Sequence, residues 1–239
     1  MPKVLILGAG YLGLAVGQAL LRSGNHSVFA TTRNGDKVKS LTANEIIPIK
    51  GDATDSKFLI HVIAAYHIDV VIDTTQAYGD AGSILSSIVQ AARNRVDTLA
   101  KDKAIGPKLG FIYTSGSWVH GSPDRRVSDV TVPGTSLAPA KPATAVGWRP
   151  AHEQAILAAR DVLDVAVLRP GSIYGQSSWV FGIWWDPLLA ASKSGSQDPV
   201  GVPVDAKTRT WSCPRGRPRR RVPLCRRQDR QRPRFLAHL

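Results

Sequence analysis

Short apolar runs alternate with amphipathic segments along the first 168 residues of the chain. Runs rich in Val, Ile and Leu predict β-strands over residues 3–7, 27–31, 46–49, 68–73, 109–114 and 165–168. Apolar positions three and four residues apart predict helices over 12–22, 56–65, 81–100 and 153–163. Strands that alternate with helices pair in parallel, so the pattern predicts an α/β fold, a doubly wound parallel sheet.

The alternating pattern ends near Thr208, where the composition changes. The 239 residues carry a formal net charge of +13, but residues 209–239 alone contain eleven Arg and a single acid, Asp229. The tail therefore carries +10 and residues 1–208 only +3. The tail has neither strand nor helix periodicity. We therefore predict a folded domain over 1–208 and an Arg-rich, disordered tail over 209–239.

Three origins of this basic tail are open. Its Arg run could bind nucleic-acid phosphates or act as a nuclear address, or it could be a solvated chain end. It could also be the product of a shifted reading frame. With CGN arginine codons, reading Thr210–Arg217 one nucleotide later permits Pro-Gly-Leu-Val-His-Val-Asp-Asp. We favour the shifted frame and expect no specific nucleic-acid partner.

Composition also disfavours several classes of protein. No window approaches the roughly 18 consecutive apolar residues of a membrane span. No cationic segment with a cleavage site precedes the strand at Lys3, so we expect a cytoplasmic protein without a membrane partner. The two cysteines make no disulfide framework and have no metal-ligand spacing. The sequence makes no prediction of the oligomeric state.

The first strand is followed by a glycine motif, G-x-G-x-x-G, formed by Gly8, Gly10 and Gly13. Gly8 would supply a tight turn, Gly10 would let the backbone approach a diphosphate, and Gly13 would pack the helix on the strand. Tyr11 and Leu12 open that helix, whose free amides and dipole favour an anion. This context predicts a Rossmann-like dinucleotide site, although a ligand-free glycine turn is the alternative.

The end of the second strand favours NADP over NAD, with NAD still possible. An acid there would bind the ribose hydroxyls, but this chain has Thr32 and Arg33, which can pair with a 2′-phosphate. Arg33 could equally be a solvated loop charge. Asp52, after the third strand, could accept from the adenine amino group or cap the helix that begins near Ser56.

Beyond the glycine loop, the chain resembles the extended and atypical short-chain dehydrogenase/reductases, the superfamily of NAD-dependent epimerase/dehydratases. The resemblance covers about residues 3–208 and includes Gly51–Asp52, residues 111–121, Glu153 in its helix and residues 168–175. It implies that the loop containing Pro170 lies over the nicotinamide. Family members carry His-Val-Asp-Asp after such a loop, which the shifted frame would restore, so the chain resembles a C-terminally truncated or frameshifted member.

The proton relay of that family is missing. Relatives use a Tyr-x-x-x-Lys pair, in which Lys lowers the pKa of the phenol that exchanges a proton with the substrate. None of the five tyrosines has a Lys four residues later. Counting back from Glu153 by the family spacing places the Lys position on Arg149 and the Tyr position on Ala145. The resemblance implies that Arg149 binds ribose hydroxyls.

Other side chains could take over parts of the chemistry. Gly116 occupies the usual Ser/Thr position, but it is flanked by Ser115 and Ser117. His120 stands where relatives have Tyr and could act as acid or base, or it could be structural. His152 precedes Glu153, and we expect it to be an exposed helix residue. Ser115, Ser117 and His120 are therefore the candidate catalytic residues.

Two functions follow from the resemblance. The first is an NADP(H)-binding reductase or epimerase that acts on a small carbonyl compound or a sugar nucleotide. The alternative is a sensor or scaffold without catalysis, in which the bound dinucleotide changes a partner surface. The absent Tyr-x-x-x-Lys pair favours this alternative.

Overall fold

The computed structural model describes residues 1–76, 78–175, 178–195, 200–201 and 212–213. Packing divides the chain into two units, which are described separately. The first is Met1–Arg169, and the second begins at Pro170. Most of the predicted tail therefore lies outside the described residues, as does most of the segment in which a shifted frame is proposed; only residues 212–213 of that segment are described.

The first unit is built on a six-stranded parallel sheet. Its strands are β1 (Lys3–Leu7), β2 (Ser27–Thr32), β3 (Ile47–Lys50), β4 (Val70–Asp73), β5 (Leu109–Thr114) and β6 (Leu163–Leu168). They lie in the order β3-β2-β1-β4-β5-β6, so the order reverses between β1 and β4. The register aligns Leu7 with Asp73 and Asp73 with Tyr113. The predicted doubly wound parallel sheet is confirmed.

Five helices connect these strands: α1 (Tyr11–Arg22), α2 (Gly35–Ala43), α3 (Ser56–Ala65), α4 (Ala81–Lys101) and α5 (Arg149–Ala158). The sequence pattern did not predict α2, because only two of its large residues are apolar. The side chain of Asn34 caps α2 by accepting a hydrogen bond from the amide of Asp36. α5 begins four residues before its predicted start, with Pro150 in its first turn, where proline needs no amide donor.

Apolar side chains fill both faces of the sheet. Leu5, Leu7, Val71 and Phe111 belong to one buried cluster. Helices α3, α4 and α5 contribute Leu59, Ile84, Ile88 and Ile156 to that cluster. On the opposite face, Gly17 lets α1 approach the side chain of Ile6. Burial on both faces explains why the central strands are continuous apolar runs.

The second unit contains β7 (Ser172–Ile173), α6 (Trp179–Ser194) and β8 (Ser212–Cys213). β7 and β8 pair in parallel, a pairing that the sequence pattern did not predict, because two residues carry no periodicity. The hydroxyl of Ser178 donates to the carbonyl oxygen of Ile173 at 2.7 Å, which links the start of α6 to β7. In the described ranges, every helix is too short or too polar to cross a membrane.

Candidate functional site

The junction between β1 and α1 is a tight turn lined by glycine. Gly10 is the N-cap of α1, and Tyr11 and Leu12 begin its first turn. Gly8 has a φ of +83°, a conformation that favours glycine. A Cβ on Gly13 would overlap the carbonyl oxygen of Gly8, so glycine at this position lets the helix start close to the strand.

The turn leaves room for an anion at the start of α1. The N-cap residue of α1 is Gly10, so no side chain accepts a hydrogen bond from the first amides of the helix. The first turn of α1 also contains no acid. A Cβ placed on Gly10 would have no heavy atom within 4 Å, so the space beside its backbone is open. The amides and dipole of a helix start favour negative charge. These residues fit the diphosphate of a dinucleotide.

Thr74, which follows β4, holds this turn in place. Its hydroxyl is within hydrogen-bonding distance of the carbonyl oxygens of Leu7, at 2.9 Å, and of Gly8, at 2.8 Å. The turn is therefore anchored to the neighbouring strand at the point where the strand order reverses. In open α/β sheets ligands bind at this reversal. Sequence reasoning missed Thr74, because its partners are more than sixty residues away.

The end of β2 carries the predicted phosphate-selecting residues. Thr32 is buried, and its hydroxyl interacts with the backbone of Asn34. The Arg33 side chain is 78% exposed and forms an ion pair with Asp52, with 3.5 Å between Nη1 and Oδ2. Arg33 is therefore accessible to a ligand, and its ion pair with Asp52 is an exposed pair that contributes little stability.

One of the two roles predicted for Asp52 was to cap α3, and this prediction is wrong. The cap is Asp55, whose carboxylate accepts from the amide of Phe58 at 3.1 Å. Asp52 instead accepts from the amide and the hydroxyl of Thr54 at 2.9 and 2.8 Å. These hydrogen bonds, with a smaller contribution from Arg33, lower the pKa of Asp52. The capping role moves to Asp55 because it stands directly before the first helical residue.

A second polar group lies on the other side of the reversal, at the ends of β4 and β5. Asp73 is only 2% exposed, and its Oδ1 accepts from the amide and the hydroxyl of Thr75 at 2.8 and 2.7 Å. Burial raises the pKa of Asp73, although Thr75 and the charge of Arg149 oppose the shift. Sequence reasoning placed Asp73 in a strand and missed it as a site residue. Its signal was an acid at the end of an otherwise apolar run.

The start of α5 places an arginine and an aromatic cluster beside this group. The guanidinium carbon of Arg149 lies 5.5 Å from the centre of the Trp148 ring. The His152 ring lies 4.9 Å from the ring of Tyr113 and 5.8 Å from that of Trp148. Tyr78 contacts the Trp148 ring at 6.2 Å.

His152 differs from its prediction. We expected an exposed helix residue, but the side chain is half-buried between Tyr113 and Trp148. The difference arises from tertiary packing, because the rings of Tyr113 on β5 and Trp148 at the start of α5 lie against the imidazole. Burial lowers the pKa of His152, with Glu153 opposing the shift and Arg149 adding to it.

Tyr113 is not suited to the role of the proton-exchanging phenol that the family resemblance implies. It is buried, and burial raises its pKa to about 12 despite the nearby charge of Arg149. A phenol that exchanges protons near neutral pH needs the opposite shift. Ala145 is exposed and carries no titratable group. Neither residue can therefore supply the Tyr function.

Three polar atoms in this region are buried without a hydrogen-bond partner in the described part of the chain. They are the Ser115 hydroxyl, the indole nitrogen of Trp148 and Nε of Arg149. Ser115 itself is only 5% exposed. Because an unpaired buried polar atom costs about 1–3 kcal/mol, each is a candidate to bind a ligand.

Ser117 and His120 begin and end a short 3-10 helix that follows β5. Both are half-buried, and the intervening Trp118 is exposed. Burial lowers the pKa of His120, and the charge of Arg169 lowers it further. Gly121 follows with a φ of +61°, and a Cβ there would overlap the carbonyl oxygen of Lys141. Glycine is therefore required where the chain leaves this helix.

A buried ion pair connects α5 to the end of β6. Glu153 is fully buried, and Nη2 of Arg169 donates to its Oε2 at 2.7 Å, while Nε lies 3.1 Å and 3.3 Å from its two oxygens. The pair fixes the helix that carries Arg149 and His152. Pro170, a predicted cofactor contact, is the first residue of the second unit and is described only there.

The described residues contain no group of three His, Cys, Asp or Glu side chains that could hold a metal ion. The site therefore consists of a glycine turn, an exposed arginine and a polar group at the ends of β4 and β5.

A family model for the NAD dependent epimerase/dehydratase family matches residues 4–180. The chain belongs to this family.

Solved structures of this fold are similar to the chain at low sequence identity. The enzyme WbmH from Bordetella bronchiseptica, solved in complex with NAD+, has a TM-score of 0.57 and 19% identity over 82% of this chain and 64% of its own. The dTDP-glucose 4,6-dehydratase from Bacillus anthracis str. Ames, solved in complex with NAD, has a TM-score of 0.54 and 18% identity, covering 82% and 62%.

The UDP-Glc/GlcNAc 4-epimerase from Campylobacter jejuni has a TM-score of 0.51 and 15% identity, covering 83% of this chain and 64% of its own. The chain thus spans less than two thirds of the length of these structures. No curated protein matches its sequence. At these identities the likeness establishes the fold, while membership of the family rests on the family model.

Proposed function

We propose that this chain binds NADP(H) at the glycine turn and is a reductase or epimerase of small carbonyl compounds or sugar nucleotides. The observation that carries the proposal is the open space beside Gly10 at a helix start without a capping side chain or an acid. A dinucleotide diphosphate has the charge and the size for that position. When bound, the nicotinamide would supply the acceptor or donor of hydride.

NADP is proposed over NAD because the end of β2 offers a cation and no acid. Arg33 is exposed, and its partner Asp52 is also held by Thr54. A 2′-phosphate would give Arg33 a charge-assisted, bidentate partner that is stronger than an exposed carboxylate pair. Thr32 would approach the same phosphate. Two of the structures named above, WbmH and the dTDP-glucose 4,6-dehydratase, were solved with NAD, so cofactor preference is a point on which this chain is proposed to differ.

The remaining half of the cofactor and the substrate would lie over the ends of β4 and β5. Arg149 would bind the nicotinamide ribose, and the unpaired hydroxyl of Ser115 would donate to the substrate oxygen. Ser117 and His120 follow β5 and would border the substrate. Sugar nucleotides are proposed because the epimerase and dehydratase neighbours are named for such substrates.

A cofactor-binding sensor without catalysis is the second proposal, and the absent phenol favours it. Two measurements separate the two functions. Fluorescence titration with NADPH and NADH should show saturable binding, with NADPH binding more tightly. NADPH oxidation should then be followed with a panel of aldehydes, ketones and 4-keto sugar nucleotides, and epimerisation of sugar nucleotides, which consumes no NADPH, should be followed by analysis of the products. Turnover supports the enzyme, binding without turnover supports the sensor, and absence of binding refutes both.

A further inference from the structure

The family chemistry needs a group that gains and loses a proton beside the substrate, and the usual residue for it is absent. We propose that His152 is the catalytic acid and base of this site and exchanges a proton with the substrate oxygen in place of the missing phenol. This inference rests on the proposed function, because it needs a nicotinamide cofactor in the same crevice. The geometry of α5 and β5 supports it.

The position of the His152 ring is held from two sides. The ring of Tyr113 lies 4.9 Å away in an edge-to-face arrangement, and that of Trp148 lies 5.8 Å away. Neither ring nitrogen of His152 has a hydrogen-bond partner among the residues that the structure describes. Because the residue is only half-buried, these nitrogens are accessible to solvent and to a ligand. Here the ring is oriented by packing, and its nitrogens are left for a ligand.

His152 also lies on the side of the sheet where a nicotinamide would bind. The diphosphate position is at the turn after β1, so the other half of a dinucleotide crosses the ends of β4 and β5. Asp73 ends β4 and aligns with Tyr113 of β5, the residue that contacts the His152 ring. His152 is three residues from Arg149 and therefore shares its face of α5.

Burial, rather than the surrounding charges, favours the neutral imidazole of His152. Burial lowers its pKa below 6.5, and Arg149 contributes in the same direction. Glu153 opposes the shift, but its carboxylate is paired with Arg169. From β5, the phenol of Tyr113 remains protonated because its pKa is raised to about 12. On β4, Asp73 interacts electrostatically with Tyr113 and Arg149, and burial raises the pKa of its carboxyl.

A neutral imidazole can start the oxidative direction of the reaction. It accepts the proton of a substrate hydroxyl while the carbon-bound hydrogen leaves with its electron pair for the oxidised nicotinamide. The products are a carbonyl, the reduced cofactor and an imidazolium, so charge and atoms balance. In the reverse direction the imidazolium returns its proton to the carbonyl oxygen. The lowered pKa of His152 favours the neutral form from which the oxidative direction starts.

The test is an NMR titration of the histidines in the full 239-residue chain, saturated in turn with NADP+ and NADPH. The two cofactors share their phosphates and differ by one positive charge on the nicotinamide ring. If His152 faces that ring, its pKa should be lower with NADP+ than with NADPH by at least about half a unit. The resonance is assigned with His152→Gln, and the exposed His61 of α3 should not change.

The outcomes separate this inference from the proposed function. If neither cofactor shifts the Gly10 amide, the cofactor site itself is refuted. If both cofactors shift Gly10 but His152 has equal pKa values with the two, or if His120 carries the difference instead, this inference alone is overturned. For any substrate that turns over, His152→Gln should lower kcat about 100-fold or more with a smaller change in KM. An unchanged kcat would overturn the proposal.

Discussion

Replacing Glu153 with Ala tests how firmly α5 is held in the position that the site requires. The substitution removes a carboxylate that is fully buried and that accepts three N–H contacts from Arg169, at 2.7, 3.1 and 3.3 Å. The Arg169 side chain, only 17% exposed, would keep its charge without a partner. Breaking a buried pair in this way costs about 3–5 kcal/mol. For a domain of this size, the melting temperature would fall by about 6–20 °C.

The assay is urea unfolding of wild type, Glu153→Ala, and the double variant Glu153→Leu with Arg169→Met. The double variant removes both charges and should recover at least about half of the lost free energy, because replacing a buried pair with apolar side chains is nearly neutral. Arg33→Ala is the control, since that ion pair is exposed and is expected to contribute less than about 1 kcal/mol. A loss below about 1 kcal/mol in Glu153→Ala, or no recovery in the double variant, would refute this reasoning.

Two further predictions concern the two ends of the proposed crevice. Burial raises the pKa of Asp73 above 3.8, so the folded state binds the proton of this carboxyl more tightly than the unfolded state does. The contribution of Asp73 to the free energy of unfolding therefore decreases as the pH rises. The stability of wild type relative to Asp73→Asn should therefore fall between about pH 4 and the raised pKa, measured by urea unfolding; a rise would contradict the assignment. Arg33→Asp should weaken NADPH binding about 10- to 100-fold, from the loss of a charge-assisted contact, and leave NADH within about threefold. Equal losses for both cofactors in the fluorescence titration would exclude the phosphate role, and Arg22→Asp, in the last turn of α1, is the control.

Sequence patterns predicted the sheet well because its central strands are buried on both faces. Leu5, Val71 and Phe111 lie in continuous apolar runs that only a covered parallel strand explains. The glycine turn was equally visible, since Gly8 and Gly13 are required by backbone conformation and close approach. By contrast, α2 has few apolar positions and depends on its Asn34 cap.

The second half of the site was harder to predict because it depends on contacts between distant segments. Asp73 has only an acid at the end of an apolar run as its signal and His152 has none, and both reach the site through the packing of β4, β5 and α5. His152 was assigned to solvent because the sequence does not show that the rings of Tyr113 and Trp148 pack against it. The start of α3 was predicted correctly at Ser56, and its cap is Asp55, the residue directly before it, rather than Asp52.

NADPH binding by Gly10→Val tests the cofactor site most directly. Gly10 has negative φ, and a Cβ added to it would have no heavy atom within 4 Å, so the chain should tolerate the larger side chain, which would fill the diphosphate space. Gly35→Val, at an equally open position at the start of α2, is the matched control. We predict saturable NADPH binding by wild type and Gly35→Val. In Gly10→Val the Kd should be at least about 100-fold higher, with an unchanged circular dichroism spectrum. Equal affinity in all three proteins, or no binding by wild type at millimolar NADPH, would contradict the account.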